Sequence, residues 1–173
     1  MALCDCGALV PTEDGPSHAY MSAQPACWRC YGELLARLAA EGVDAPLQMD
    51  TYAAQHPGNA PAERRQRGSV AVHLTVLCAH FDFGLPFSQL PQFRARLSST
   101  LLPRLGLEDW PALNPPQQWG PLNAPVILSF PVSQLEEVTY EWARQVWEAW
   151  RVQETPVQFW AQTLMETDYD RRG

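Results

Sequence analysis

The chain has 173 residues, 46% of them hydrophobic, and a formal net charge of −7. That size and apolar content suit one folded domain with a real core and exclude a disordered chain. The acidic balance argues against a nucleic-acid partner, because phosphate contacts need a basic face.

All twelve basic residues are Arg and are scattered, which reads as coding bias in a GC-rich genome rather than a functional choice. The start, Met1 to Gly7, has no charged segment followed by an apolar run, so no secretory signal is expected. No stretch approaches the about 18 uninterrupted apolar residues of a membrane span, so no membrane partner is expected. A cytoplasmic protein with reduced thiols follows. Its five cysteines fit a metal site plus a buried thiol better than a disulfide framework.

Residues 1–25 read as knuckle and loop, rich in Gly, Pro, Ser and Asp. Helical periodicity begins near Ala26, with Trp28, Tyr31, Leu34, Leu35 and Leu38 at spacings of three and four, and ends at Gly42. A short second helix is predicted over Leu47 to Gln55, stopped by His56-Pro57-Gly58, because the residue before proline avoids the helical region. The clearest helix is predicted over Ser69 to Phe83, where Val70, His73, Leu74, Leu77, Cys78 and Phe81 form one apolar stripe. Another is predicted from Ser88 to Leu102, ended by Pro103 and Gly106.

Leu107 to Pro125 is too proline-dense for regular structure, and Val126 to Phe130 reads as a short strand or a buried extended segment. Ser133-Gln134-Leu135-Glu136 matches a capping box. The helix it opens is expected to reach Val152, with Leu135, Val138, Trp142, Val146 and Trp150 inward. Thr155-Pro156 then reads as a cap starting a last helix through Met165. The expected architecture is a mainly α, single-domain array of about six helices. It comprises a zinc-clipped knuckle arm (1–30), a helical core (31–173) and a Pro-rich loop at 107–125.

The chemistry concentrates in two thiol pairs, Cys4-Asp5-Cys6-Gly7 and Cys27-Trp28-Arg29-Cys30. Two such pairs about twenty residues apart are a sequence sign of a tetrahedral Zn²⁺ site. The candidate ligands are Cys4, Cys6, Cys27 and Cys30. His18, between the pairs, can replace one thiol to give a Cys₃His set. A closed four-ligand site has no open position for substrate and would stabilise the fold. His73 lies on the apolar stripe, where a lone imidazole is more often a hydrogen-bonded core residue than a ligand. His80 is about 10 Å further along the helix, too far to share an ion with it. His56 sits at a helix end, where imidazole can cap free carbonyls. Cys78 is on the buried stripe and is expected to be inert. The late tryptophans are expected to be core.

Several segments taken together are similar to a known family: Asp14-Gly15-Pro16-Ser17-His18, Cys27-Trp28, Tyr31-Gly32-Glu33-Leu34-Leu35, Gln55-His56-Pro57-Gly58, Ser69-Val70-Ala71-Val72-His73-Leu74 and Trp147-Glu148-Ala149-Trp150. The chain resembles the bacterial domain-of-unknown-function family 5946 over nearly its whole length. The resemblance implies that Cys6, His18, Cys27, His56 and His73 occupy the family's motif positions. It supports Cys6 and Cys27 as ligands and His18 as a candidate. This sequence departs from the family's opening by carrying C-x-C, has Cys30 where no Cys is expected, and has Gln153-Glu154 where relatives often carry adjacent His.

Two functional readings follow. One is a non-enzymatic binding or regulatory module with structural zinc, presenting a groove to a small molecule or partner protein, with His56 and His73 as candidate binding residues. The alternative is a metal-dependent hydrolase in which His56 and His73 converge with a carboxylate on an open site.

Overall fold

A computed structural model of the chain describes residues 1–16 and 18–170, with side chains through Glu166. Ser17, within the segment Asp14 to His18, lies outside the described residues. The fold is mainly helical. Strands β1 (Ala2–Leu3) and β2 (Leu9–Val10) form a small antiparallel hairpin, Ala2 opposite Val10 and Leu3 opposite Leu9. Helices α1 (Pro25–Ala40), α2 (Gln48–Gln55) and α3 (Arg64–Phe81) follow. Then come α4 (Leu90–Arg96), a wide helical turn over Leu97–Leu101, and the single turn α5 (Leu102–Arg104). After the irregular proline-dense segment come α6 (Ala124–Ile127), α7 (Leu135–Ala149) and α8 (Glu154–Asp170).

α3 is the central element, packed against α2 on one side and α8 on another, with α7 also touching it. That explains why its buried set is wider than the single stripe read from the sequence. Ala71, Thr75, Val76 and Ala79 are buried along with Val70, Leu74, Leu77 and Cys78. His73 and Phe81, placed on the stripe, are only half-buried.

Trp142 and Trp147 of α7 and Trp150 just after it are core, and the indole N–H groups of Trp142 and Trp150 also hold α2. Trp142 Nε1 donates to Gln55 Oε1 at 2.9 Å, and Trp150 Nε1 donates to the Ala54 carbonyl at 3.0 Å. Gln55 Nε2 in turn donates to the Leu122 carbonyl at 2.9 Å. The last turn of α2 therefore has its Ala54 carbonyl and its one buried amide satisfied by distant partners, as burial requires.

Two expected local structures differ. Residues 126–130 are not extended. Asn123 caps α6, its Oδ1 accepting from Val126 N at 3.1 Å, with Pro125 in the first turn, a combination that starts a helix. The capping box at Ser133 is not used either. A tight turn over Val132–Gln134 feeds α7 directly, without a side-chain cap. α7 then ends at Ala149, and α8 begins one residue earlier than Thr155.

Candidate metal centre

Four side chains from three separate elements meet at the end of the hairpin. Cys4 and Cys6 lie in its turn, Cys27 in the first turn of α1, and His56 just after the last residue of α2. All four are buried, and their ligand atoms lie within 4.8 Å of one another. Among the described residues this is the one group of three or more His, Cys, Asp or Glu so arranged.

The backbone builds the turn. Gly7 N donates to the Cys4 carbonyl at 2.9 Å, and Cys4 N donates to the Ala8 carbonyl at 2.9 Å. Gly7 has φ 82°, a left-handed conformation that a side chain resists, so the tight C-x-C-G curl depends on glycine. The turn is fastened at its back through Asp5. Its Oδ2 accepts from Gly58 N at 3.1 Å, and its carbonyl accepts from Trp119 Nε1 at 2.6 Å. Gly58 itself has φ 56°, and a Cβ there would come within 2.8 Å of Ser22 Cβ. The His56-Pro57-Gly58 turn is therefore pressed against the N-terminal segment at a place where only glycine fits.

The imidazole of His56 is oriented by its own helix. Nδ1 lies 2.7 Å from the Tyr52 carbonyl, which makes Nδ1 the protonated nitrogen and leaves the Nε2 lone pair facing the thiols. This is the outer-shell arrangement that fixes the tautomer of a metal-binding histidine. The Tyr52 ring also lies against the imidazole, centroids 4.0 Å apart, and stacks on Tyr31 at 4.0 Å.

The spacing of the group suits one tetrahedral ion. Bonds of about 2.3 Å to sulfur and about 2.0 Å to nitrogen place neighbouring sulfurs about 3.8 Å apart, and sulfur and nitrogen about 3.5 Å apart. Cys6 Sγ and Cys27 Sγ are 3.7 Å apart, and Cys27 Sγ is 3.4 Å from His56 Nε2.

The electrostatics fit as well. The Cys4 thiol is held far below its usual range by hydrogen bonds from Cys27 and Cys6, and it also accepts from Gln24 N, at the N-terminus of α1, at 3.3 Å. Cys27 is pushed up to about 12, first by its hydrogen bond to Cys4. Cys6 is raised further, by Cys27, Cys4 and burial. One thiolate is thus favoured, and two neighbouring thiols resist ionising beside it. A divalent cation would remove that conflict, since metal binding drives thiols to thiolates.

Of the residues singled out from the sequence, Cys4, Cys6 and Cys27 come together, and His56 joins them. Cys30 is half-buried one turn further along α1 and is outside the group. His18 is outside it too. Its ring lies against Tyr20 and Trp28, with centroids 5.7 and 5.2 Å away, and its Nδ1 accepts from Tyr20 N at 3.3 Å. His56 and His73, paired in the sequence as candidate binding residues, belong to separate constellations. His73 Nδ1 meets Asp50 Oδ1 at 2.7 Å, so its partner is a carboxylate rather than backbone. Asp50 is fully buried and also takes the Arg94 guanidinium on both oxygens. His73 lines a cleft of about 670 Å³ with Val72, Leu102, Trp110, Ser69 and Arg64. Cys78 is buried, and burial pushes its thiol up, in keeping with an unreactive core residue.

Residues 1–151 match the family of unknown function DUF5946. The chain belongs to that family. The DUF5946 match takes in all four members of the thiol–imidazole group, the Asp50–His73–Arg94 cluster and α7 through Ala149. No curated protein and no solved structure is found to match the chain. No helix among the described residues is long and apolar enough to cross a membrane.

Proposed function

We propose that this DUF5946 chain is a cytoplasmic, non-enzymatic binding module, clipped together by one structural Zn²⁺ held by Cys4, Cys6, Cys27 and His56. The supporting observation is the buried convergence of three sulfurs and an oriented imidazole nitrogen at tetrahedral spacing. The ion fastens the hairpin to the start of α1 and the end of α2. With four protein ligands it keeps no position for substrate, so it supplies folding energy rather than Lewis-acid chemistry. The cleft beside His73 is the surface for a small molecule or a partner protein. There Asp50 holds Nδ1 and leaves Nε2 with no hydrogen-bond partner among the described residues.

The hydrolase alternative has less support. It requires His56 and His73 on one open ion, whereas His56 has Nδ1 on a backbone carbonyl and Nε2 against a thiol, and His73 has Nδ1 on Asp50.

Elemental analysis of protein purified without an affinity metal tests the reading. Zinc near one ion per chain and a melting temperature lowered by strong chelator are expected. Metal-free protein that is equally stable in chelator contradicts it.

A further inference from the structure

Tyr52 touches the thiol–imidazole group by a contact that its part in orienting His56 does not use. It lies in α2, one turn before His56, and is fully buried. Its phenolic oxygen donates to Cys27 Sγ at 3.7 Å. Cys27 is the hub of the group, since its sulfur is also 3.7 Å from Cys6 Sγ and 3.4 Å from His56 Nε2. One residue thus acts on two members of the group. The Tyr52 carbonyl takes Nδ1 of His56, its ring lies against that imidazole, and its hydroxyl reaches the Cys27 sulfur.

Charge gives the hydroxyl contact its meaning. Three thiolates and a neutral imidazole around one divalent cation carry an excess negative charge, and this group is buried. Such a charge is tolerated when hydrogen-bond donors point at it. Two donors from outside the group do so: Gln24 N reaches Cys4 Sγ at 3.3 Å, and the Tyr52 hydroxyl reaches Cys27 Sγ. The first is a backbone group, whereas the second exists only because this residue is tyrosine. A hydrogen bond to a thiolate is charge-assisted and stronger than one to a neutral thiol. The contact therefore strengthens when Cys27 gives up its proton to bind a metal. Tyr31 supplies the contrast. It stacks on Tyr52 and is nearly as buried, but its hydroxyl donates to the Met49 thioether at 3.8 Å, a weak neutral acceptor outside the group.

We propose that Tyr52 is a positioning residue for the metal, and that its hydroxyl, acting through Cys27, sets how tightly the group holds the ion. This rests on the zinc reading above and deepens it. The O–H stabilises the Cys27 thiolate over the protonated thiol, so it favours the metal-bound form. Tyr52→Phe removes that hydroxyl alone. The ring still lies against His56 and Tyr31, and the backbone carbonyl still holds Nδ1.

The test uses the full chain, freed of metal under reducing conditions, unsubstituted and as Tyr52→Phe and Tyr31→Phe. Co²⁺ is added as a spectroscopic probe, and Zn²⁺ affinity is measured by competition with a chromophoric chelator. In Tyr52→Phe the thiolate-to-cobalt charge-transfer absorption is expected to move to lower energy, because the sulfur lone pairs lose the donor that stabilised them. Zn²⁺ should be held about tenfold or more weakly in that variant. Tyr31→Phe also loses a buried hydroxyl, so an effect of packing alone would appear there; its absorption and affinity are expected to match the unsubstituted chain. If the unsubstituted chain takes up neither metal, the zinc reading fails and this inference with it. If it takes up both, and Tyr52→Phe matches it in absorption or in affinity, or Tyr31→Phe changes either as far, this inference alone is overturned.

Discussion

Two buried polar clusters sit at opposite ends of α2 and differ in one respect. At its start, Asp50 is fully buried, but Arg94 and His73 surround it with donors, so the charge is answered inside the protein. At its end, three sulfurs and the acceptor nitrogen of His56 face one another with no cationic side chain among them. A buried charge is tolerated when it is paired and hydrogen-bonded. The first cluster is therefore complete as it stands, whereas the second is a set of electron-pair donors that could hold a metal ion. Counting donors against acceptors separates a structural network from a metal site here, although both are buried and both contain histidine.

The two ends should respond differently to substitution. The largest effect is expected for Cys27→Ala, which removes the thiol that touches both Cys6 and His56. Bound metal should be lost, and the melting temperature should fall further than in Asp50→Ala or His73→Leu, because the ion's binding energy is folding energy. A variant that keeps its metal would break the comparison. Asp50→Ala comes next. It leaves Arg94 without its buried partner, at a cost of about 3 kcal/mol, toward the lower end for a broken buried pair because Arg94 is partly exposed. Denaturant unfolding should show this loss with the metal content unchanged.

His73→Leu is milder, about 1–3 kcal/mol for a lost partner of a buried carboxylate. Arg94 continues to neutralise Asp50, and metal content should again be unchanged. Loss of metal in this variant would join the two clusters and revive the open-site reading. The smallest effects are expected for Cys30→Ser and His18→Ala, measured by zinc retention during dialysis against chelator. Both side chains lie outside the thiol–imidazole group, so both variants should hold the ion as the unsubstituted chain does. Loss of metal from either would sharpen the ligand set in favour of that residue.

Much of this was legible in the sequence where the signal is local. The thiol pairs announce a metal-binding end, and the spacing of Trp28 to Leu38 and the cluster from Val70 to Cys78 mark α1 and α3. Bringing His56 to the thiols is a tertiary event, since it depends on α2 being held by Trp142 in α7 and Trp150 just after it. A local hint did exist: an imidazole just before Pro57-Gly58, one helical turn after Tyr52, whose carbonyl can fix its tautomer. Cys30 completes an attractive C-x-x-C, yet it lies one turn further along α1, half-buried and outside the group. The role of Asp50 was illegible, because an acid in a helix's first turn ordinarily faces water and Arg94 is 44 positions distant. The helical start at Asn123 and Pro125 was readable from its cap, but the apolar run after it favoured an extended reading.

The most direct measurement of the central claim is X-ray absorption at the zinc edge of the purified, zinc-loaded chain. Three sulfur scatterers at about 2.3 Å and one nitrogen at about 2.0 Å are expected around each ion. Binding should also release protons near neutral pH, because the neighbouring thiols and burial disfavour the charged forms of Cys6 and Cys27. A shell of nitrogen and oxygen alone, or one with an exchangeable water in place of the fourth protein ligand, would contradict it.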